Sequence, residues 1–231
     1  MIKFPKTPHL PLNAEAATDD DIVAGEEAMQ LVYDASRIVV QEKLDGANLR
    51  ICFDGHREPV VGNREHVLKK GYVKKATPAK LQFRPVWNWI YENKNLFSNL
   101  TFLLGGPPLE TPIVFGEWMF AQHTTKYDKL PTLFFAYDIF LDDIFIDPVE
   151  TVDLLKSAGF TVPPIYDLGE PEELKNMLHE LSPFSSTDKR EGLYFKIGDK
   201  NETTHRFKML RPDYETVKDF TERGLIKNKL V

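Results

Sequence analysis

Apolar residues along the chain fall in short blocks whose spacing changes between a period of two and one of about 3.6. Ile38-Val39-Val40 and the alternating Leu49-Arg50-Ile51-Cys52-Phe53 read as two strands, joined through Gln41-Glu42-Lys43-Leu44-Asp45-Gly46-Ala47-Asn48. Three further β-rich runs cover 113–119, 133–140 and 192–197. Thr18 and the three aspartates after it offer a cap and first-turn acids for a helix running through Val32. A second helix is expected over 78–100, burying Leu81, Trp87, Ile90, Tyr91 and Phe97. Two more, over 148–158 and 171–181, open on proline, and Gly159 closes the first. Pro5, Pro8 and Pro11 make residues 1–14 an extended arm. Strands and helices alternate without a βαβ rhythm or a glycine-rich phosphate loop. The fold class this predicts is α+β, and the length suits one large domain or two small ones.

Composition narrows the function. With 42% hydrophobic residues the chain is globular, and 29 Lys+Arg against 35 Asp+Glu gives a net charge of -6. Such a balance excludes nucleic-acid binding through the whole surface, so any such contact must be local. One local patch exists: Arg64, Lys69, Lys70, Lys74, Lys75, Lys80 and Arg84 face only Glu65 as an acid in that stretch. It reads equally as a solvated face. A single cysteine, Cys52, forms no internal disulfide, and a reducing compartment is the natural setting. No apolar run suits a signal peptide or a membrane span, which predicts a soluble, intracellular protein with no membrane partner.

The chemistry is carried by Lys43-Leu44-Asp45-Gly46, a lysine at a strand end beside a glycine that permits close backbone approach. Downstream, in order, stand Arg64, Glu117, Tyr137-Asp138-Ile139, Glu191-Gly192 and Lys208. This series resembles the covalent nucleotidyltransferase superfamily, and is most like the nick-sealing RNA ligases of the phage and RNA-editing type. The resemblance spans residues 42–208 and implies one α+β nucleotidyltransferase domain over 1–231, with mainly antiparallel sheets flanked by helices. It implies that Lys43 becomes a lysyl-AMP, with Lys208 and Arg206 neutralising the α-phosphate and depressing the Lys43 pKa. The family pattern favours lysine at both of these positions, so Arg206 is a departure. It further implies that Glu42 reads the adenine amino group, that Asn48 lies near the phosphates, and that Arg64 holds the ribose or an incoming 5′-phosphate. Glu117 is expected on the ribose or on a metal, Glu191 on a catalytic metal, and Tyr137 stacked on the purine. ATP and Mg²⁺ (or Mn²⁺) are the implied cofactors. An unperturbed lysine is neutral in only about one molecule in two thousand at pH 7, so something must release the Lys43 proton.

The implied activity is ATP-dependent joining of 5′-phosphate and 3′-hydroxyl ends, with nicked or single-stranded RNA as partner. The alternatives are a DNA ligase and a non-ligating subunit that binds nucleotides or RNA ends. Trp118, His123 and Tyr127 are placed between loop packing and substrate contact. Only 23 residues follow Lys208. This reads as a bare catalytic domain without an OB or helical module, one that a partner protein would help to grip its substrate.

Overall fold

The computed structural model describes residues 2–17, 22–70, 77–106, 111–214 and 224–231. The predicted strands appear within a residue or two of their expected limits. In chain order the elements are α1 (Glu27–Asp34), β1 (Ile38–Lys43), β2 (Ala47–Phe53), β3 (Pro59–Asn63) and β4 (Val67–Leu68). Next come α2 (Pro78–Leu81), α3 (Val86–Glu92), α4 (Lys94–Leu103), β5 (Ile113–Trp118), β6 (Phe134–Leu141) and β7 (Ile144–Phe145). The last are α5 (Pro148–Ala158), β8 (Ile165–Tyr166), α6 (Pro171–Met177), β9 (Gly192–Gly198) and β10 (Thr203–Leu210). They form two antiparallel sheets, ordered β10-β9-β1-β8 and β4-β3-β2-β5-β6-β7.

Each sheet has its own apolar core on the face turned away from the other. Leu49, Ile51, Val114 and Trp118 pack beneath α3, α4 and α5. Val40, Leu193, Phe195 and Met209 pack against Leu10, α1 and α6. Period-two alternation then sends the intervening residues of both sheets toward each other.

Four expectations are corrected. The arm is extended only to Leu10 and then turns through a 3-10 helix over Pro11–Ala16, and the helix expected over 171–181 ends at Met177. The proposed cap at 18–21 lies outside the described residues, and α1 starts only at Glu27, because Val23 instead pairs with His9. The expected helix over 78–100 is three helices. Pro85 has no N–H for the ladder, and Asn93, whose Nδ2 donates to the Trp89 carbonyl, breaks the next turn. Trp87, Ile90 and Phe97 are buried as expected, whereas Tyr91 is exposed. By contrast α5 begins and ends where predicted: the Asp147 carboxylate caps the N–H groups of Val149 and Glu150, and Gly159 closes it at φ 95°.

Candidate active site

β1 ends in one sheet and β2 begins in the other, so Lys43-Leu44-Asp45-Gly46 is the crossing between them. Close packing dictates the glycine: a Cβ on Gly46 would lie 2.7 Å from both Met119 Sδ and the Trp118 carbonyl. Asp45 turns inward as a strut. Its Oδ2 accepts the backbone N–H groups of Thr124 (2.7 Å) and Thr125 (2.6 Å), and its own N–H donates to the Tyr127 hydroxyl (3.0 Å). Asn228 braces that loop from behind. Its Oδ1 accepts Tyr127 N–H at 3.1 Å, and its Nδ2 donates to the carbonyls of Met119 and Ala121. Trp118 is fully buried and donates from Nε1 to the Gln82 carbonyl at 2.7 Å. Trp118 and Tyr127 therefore serve packing, while His123 Nε2 lies 3.0 Å from Gln82 Oε1.

A cavity of about 890 Å³ opens between the sheets. It is lined by Glu42, Lys43, Asn48, Arg64, Glu117, Tyr137 and Lys208, seven residues singled out in the sequence. Glu191 is not on its wall but reaches Lys43, accepting the ammonium on Oε1 at 2.5 Å. Arg206 is not brought to the wall. Its Nε stands 3.5 Å from Asp138 Oδ2, and its guanidinium lies over the Phe145 ring at 4.3 Å. Glu42 is buried, with Ser182 donating to Oε1 (2.5 Å) and Tyr166 to Oε2 (2.9 Å). A carboxylate has about four lone-pair sites, so these bonds orient it and leave acceptor capacity.

Tyr137 owes its position to a β-bulge. Phe115 pairs with Asp138 and Gly116 with Ala136, so Tyr137 is the extra residue on β6. Ala136 and Ile139 enter the core, while Tyr137 and Asp138, although adjacent, both serve the space between the sheets. The Tyr137 hydroxyl accepts Asn48 Nδ2 at 2.5 Å. Fully buried Lys196 donates to the Tyr137 carbonyl and to Asp138 Oδ1 (3.2 Å), tying one sheet to the other.

The electrostatics revise one expectation. Burial acts to lower the Lys43 pKa, but the carboxylates of Glu191, Glu117 and Asp45 outweigh it, and the net shift is upward. The Lys43 amine is thus held as an ammonium, not depressed by neighbouring cations. Burial likewise raises Glu117 to about 8 and Glu191 to about 7, opposed in both by Lys43 and, for Glu191, by Lys208. Two carboxyls with raised pKa values, Glu191 buried and Glu117 half-buried, thus act on one ammonium. Among the described residues no group of three or more His, Cys, Asp or Glu is arranged to hold a metal ion. A hard cation that binds one or two carboxylates and takes its other ligands from phosphates needs no such group. Glu191 Oε2 fits it, being a buried oxygen without a hydrogen-bond partner.

The family model described as RNA ligase matches residues 36–210. The chain belongs to the RNA ligase family. Among solved structures, the Naegleria gruberi RNA ligase with PPi is 21% identical, with a TM-score of 0.57 over 79% of this chain and 52% of that one. A mutant of the same ligase with AMP and Mn is 19% identical, with a TM-score of 0.59 over 91% of this chain and 56% of that one. An archaeal ATP-dependent RNA ligase is 18% identical, with a TM-score of 0.57 over 90% and 48%. At these identities the likeness is one of fold, and the chain spans about half the length of the RNA ligases it resembles. No curated protein matches it. No described helix is long and apolar enough to cross a membrane.

The sequence reading missed several cavity residues of this RNA ligase fold. Tyr194 lines the wall. Its place between Leu193 and Phe195, both core residues, gives the alternation that could have found it. Gln82 also lines the wall, from a segment read as plain helix. Of the basic patch, Arg64, Lys69 and Lys80 reach the cavity, Lys70 donates to the exposed Tyr91 hydroxyl at 3.0 Å, and Lys74 and Lys75 lie outside the described residues.

Proposed function

We propose that this chain is the nucleotidyltransferase part of an ATP-dependent RNA ligase, and that Lys43 takes AMP from ATP before passing it to a 5′-phosphate. The observation that carries the reading is Lys43, paired with Glu191, on the wall of a cavity that Lys208, Glu117 and Tyr137 also line. In this reading Lys43 Nζ loses its proton and attacks the α-phosphorus of ATP in line with the departing pyrophosphate. A 5′-phosphate oxygen then displaces Lys43 from that phosphorus, and a 3′-hydroxyl finally displaces AMP. Glu191 and Glu117 would hold Mg²⁺ or Mn²⁺. A bound divalent ion supplies positive charge that offsets the carboxylates and polarises phosphate oxygens.

Lys208 opposes charge on the phosphates, and Tyr137 offers its aromatic face to the purine. Asn48 and Arg64 bind the sugar-phosphate end. Glu42, oriented by Ser182 and Tyr166, accepts the adenine amino group. Arg206 acts at one remove, through Asp138. RNA, nicked or single-stranded, would lie across Arg64, Lys69 and Lys80 beside the cavity, and a partner protein would add grip.

Incubation with α-labelled ATP and Mg²⁺ tests this. Acid-stable label on Lys43, absent from Lys43→Ala and much weaker with GTP, is the expected result. Label on another lysine would overturn the assignment, and binding of ATP without label would leave a nucleotide- or RNA-end-binding subunit. Joining of nicked RNA in preference to nicked DNA supports the RNA assignment, and the reverse preference overturns it.

A further inference from the structure

We propose that the N-terminal arm is a positioning strap of the nucleotide site, joining the two sheets across the cavity and setting the ATP affinity. The inference rests on the function proposed above. β10 is the edge of its sheet, so beyond β9 the backbone of Lys208 has an open side. The arm fills it: Lys208 N–H donates to the Pro8 carbonyl at 2.9 Å, and Leu10 N–H to the Lys208 carbonyl at 2.9 Å. Both backbone groups of the cationic residue are thereby held from outside the catalytic strands.

Further up the arm, Thr7 Oγ1 lies 2.6 Å from the hydroxyl of Tyr194, the residue directly across from Lys208 on β9. Phe4 then reaches the other sheet. Its ring is edge-on to Tyr137 at 5.5 Å and lies 5.3 Å from Phe115. In seven residues the chain thus passes from the strand carrying Lys208 to the strand carrying the expected purine-stacking tyrosine. Phe4, Pro5 and Thr7 themselves form part of the cavity wall.

A segment that served only stability would bury itself, and this one does not. Ile2, Lys3, Pro5 and Lys6 are exposed, and the arm's firm anchor is Leu10, fully buried in the core behind β10. Within residues 2–7 only Phe4 packs its side chain among other rings, so changing Thr7 should leave the global transition almost unmoved while loosening one wall of the site.

Self-adenylylation over a range of ATP concentrations distinguishes the two roles. Thr7→Val removes the hydroxyl that meets Tyr194 at nearly constant shape. It should raise the ATP concentration for half-maximal rate roughly threefold to tenfold, the worth of one hydrogen bond, with the saturating rate changed by less than about twofold. Thr7→Ser keeps the hydroxyl and should stay near the unaltered protein. Phe4→Ala should act in the same direction as Thr7→Val, with a lower melting temperature because its contacts with Phe115, Tyr137 and Phe145 are lost, whereas Thr7→Val leaves the melting temperature unchanged. Removing residues 2–7 should weaken ATP use further, and a synthetic peptide of residues 1–12 should restore part of it. If the unaltered protein labels while Thr7→Val and Phe4→Ala label with its own ATP dependence, the strap is overturned and the ligase reading stands. If the unaltered protein takes no label, the reading beneath both fails.

Discussion

Glu191→Gln asks what the carboxylate beside Lys43 is for, because its two candidate roles predict effects of opposite sign. Lys43 and Glu191 pair at 2.5 Å with side-chain exposures of 28% and 8%. Two unit charges about 4 Å apart at an effective dielectric near 20 attract by roughly 4 kcal/mol. Solvent access to Lys43 reduces this to about 1–2 kcal/mol. Removing the anion should therefore leave roughly ten times more neutral amine at pH 7. If releasing the lysine were the whole of its role, Glu191→Gln would label faster than the unaltered protein. If the unpartnered Oε2 receives the divalent ion, the variant loses a transition-state contribution of several kcal/mol and labels at least a hundredfold more slowly. We expect the second outcome. Single-turnover labelling with α-labelled ATP across pH 6–9, at several Mg²⁺ concentrations, measures the balance. Reaction of Lys43 with a small amine-directed reagent in the absence of ATP should show the greater basicity lost in the variant. A variant that labels as fast as the unaltered protein, with the same Mg²⁺ dependence, would refute the reasoning.

Three more predictions follow from the same geometry. Asp45→Asn weakens the charge-assisted bonds to Thr124 and Thr125, and should cost about 2–3 kcal/mol, a fall of roughly 4–12 °C in melting temperature by calorimetry; an unmoved transition would show that the strut is dispensable. Because burial pushes Glu117 up to about 8 and Glu191 up to about 7, well above the ordinary carboxyl range near 4.5, the native state holds extra protons. Their contribution is complete below pH 4.5 and is lost as pH rises through 7 to 8, so the metal-free protein should lose stability across that window. Mg²⁺ should raise the melting temperature more at pH 8.5 than at pH 6, and equal shifts would argue against carboxylate ligation. Lys196→Met strands the buried Asp138 carboxylate beside Arg206 and should cost about 3–5 kcal/mol in denaturant unfolding, part of it recovered by adding Asp138→Leu. A cost below about 1 kcal/mol would mean that Arg206 alone suffices for Asp138.

Strand positions were legible because alternation and β-branched runs are local signals, and α5 because its cap, proline and closing glycine all lie within its own sequence. The three-part division of the region from 78 was missed because period 3.6 continues across Pro85 and Asn93, and only the missing N–H and the Asn93 bond to Trp89 end the turns. At the site, order along the chain sufficed to name Lys43, Glu117, Tyr137 and Lys208, and the structure gathers them around one cavity. It could not tell that Glu191 meets the ammonium from off the wall, nor that Arg206 is spent on Asp138 and two rings. Both depend on which face a strand presents. The direction of the Lys43 pKa was misjudged for a related reason: the sequence displays the cations at 206 and 208, but not that three carboxylates stand nearer.

The bulge in β6 makes the site sensitive to chain length in a way that composition does not reveal. With Tyr137 as a supernumerary residue, deleting any one position between Ala136 and Ile139 would restore a perfectly regular ladder with β5. The cost of that regularity would be the loss of either the aromatic face or the carboxylate that holds Lys196 and Arg206. The exposed turn at 54–58 should therefore tolerate a change of length better than the strand from Phe134 to Leu141. Insertions and deletions along the strand itself should be tolerated no better than substitution of the lysine.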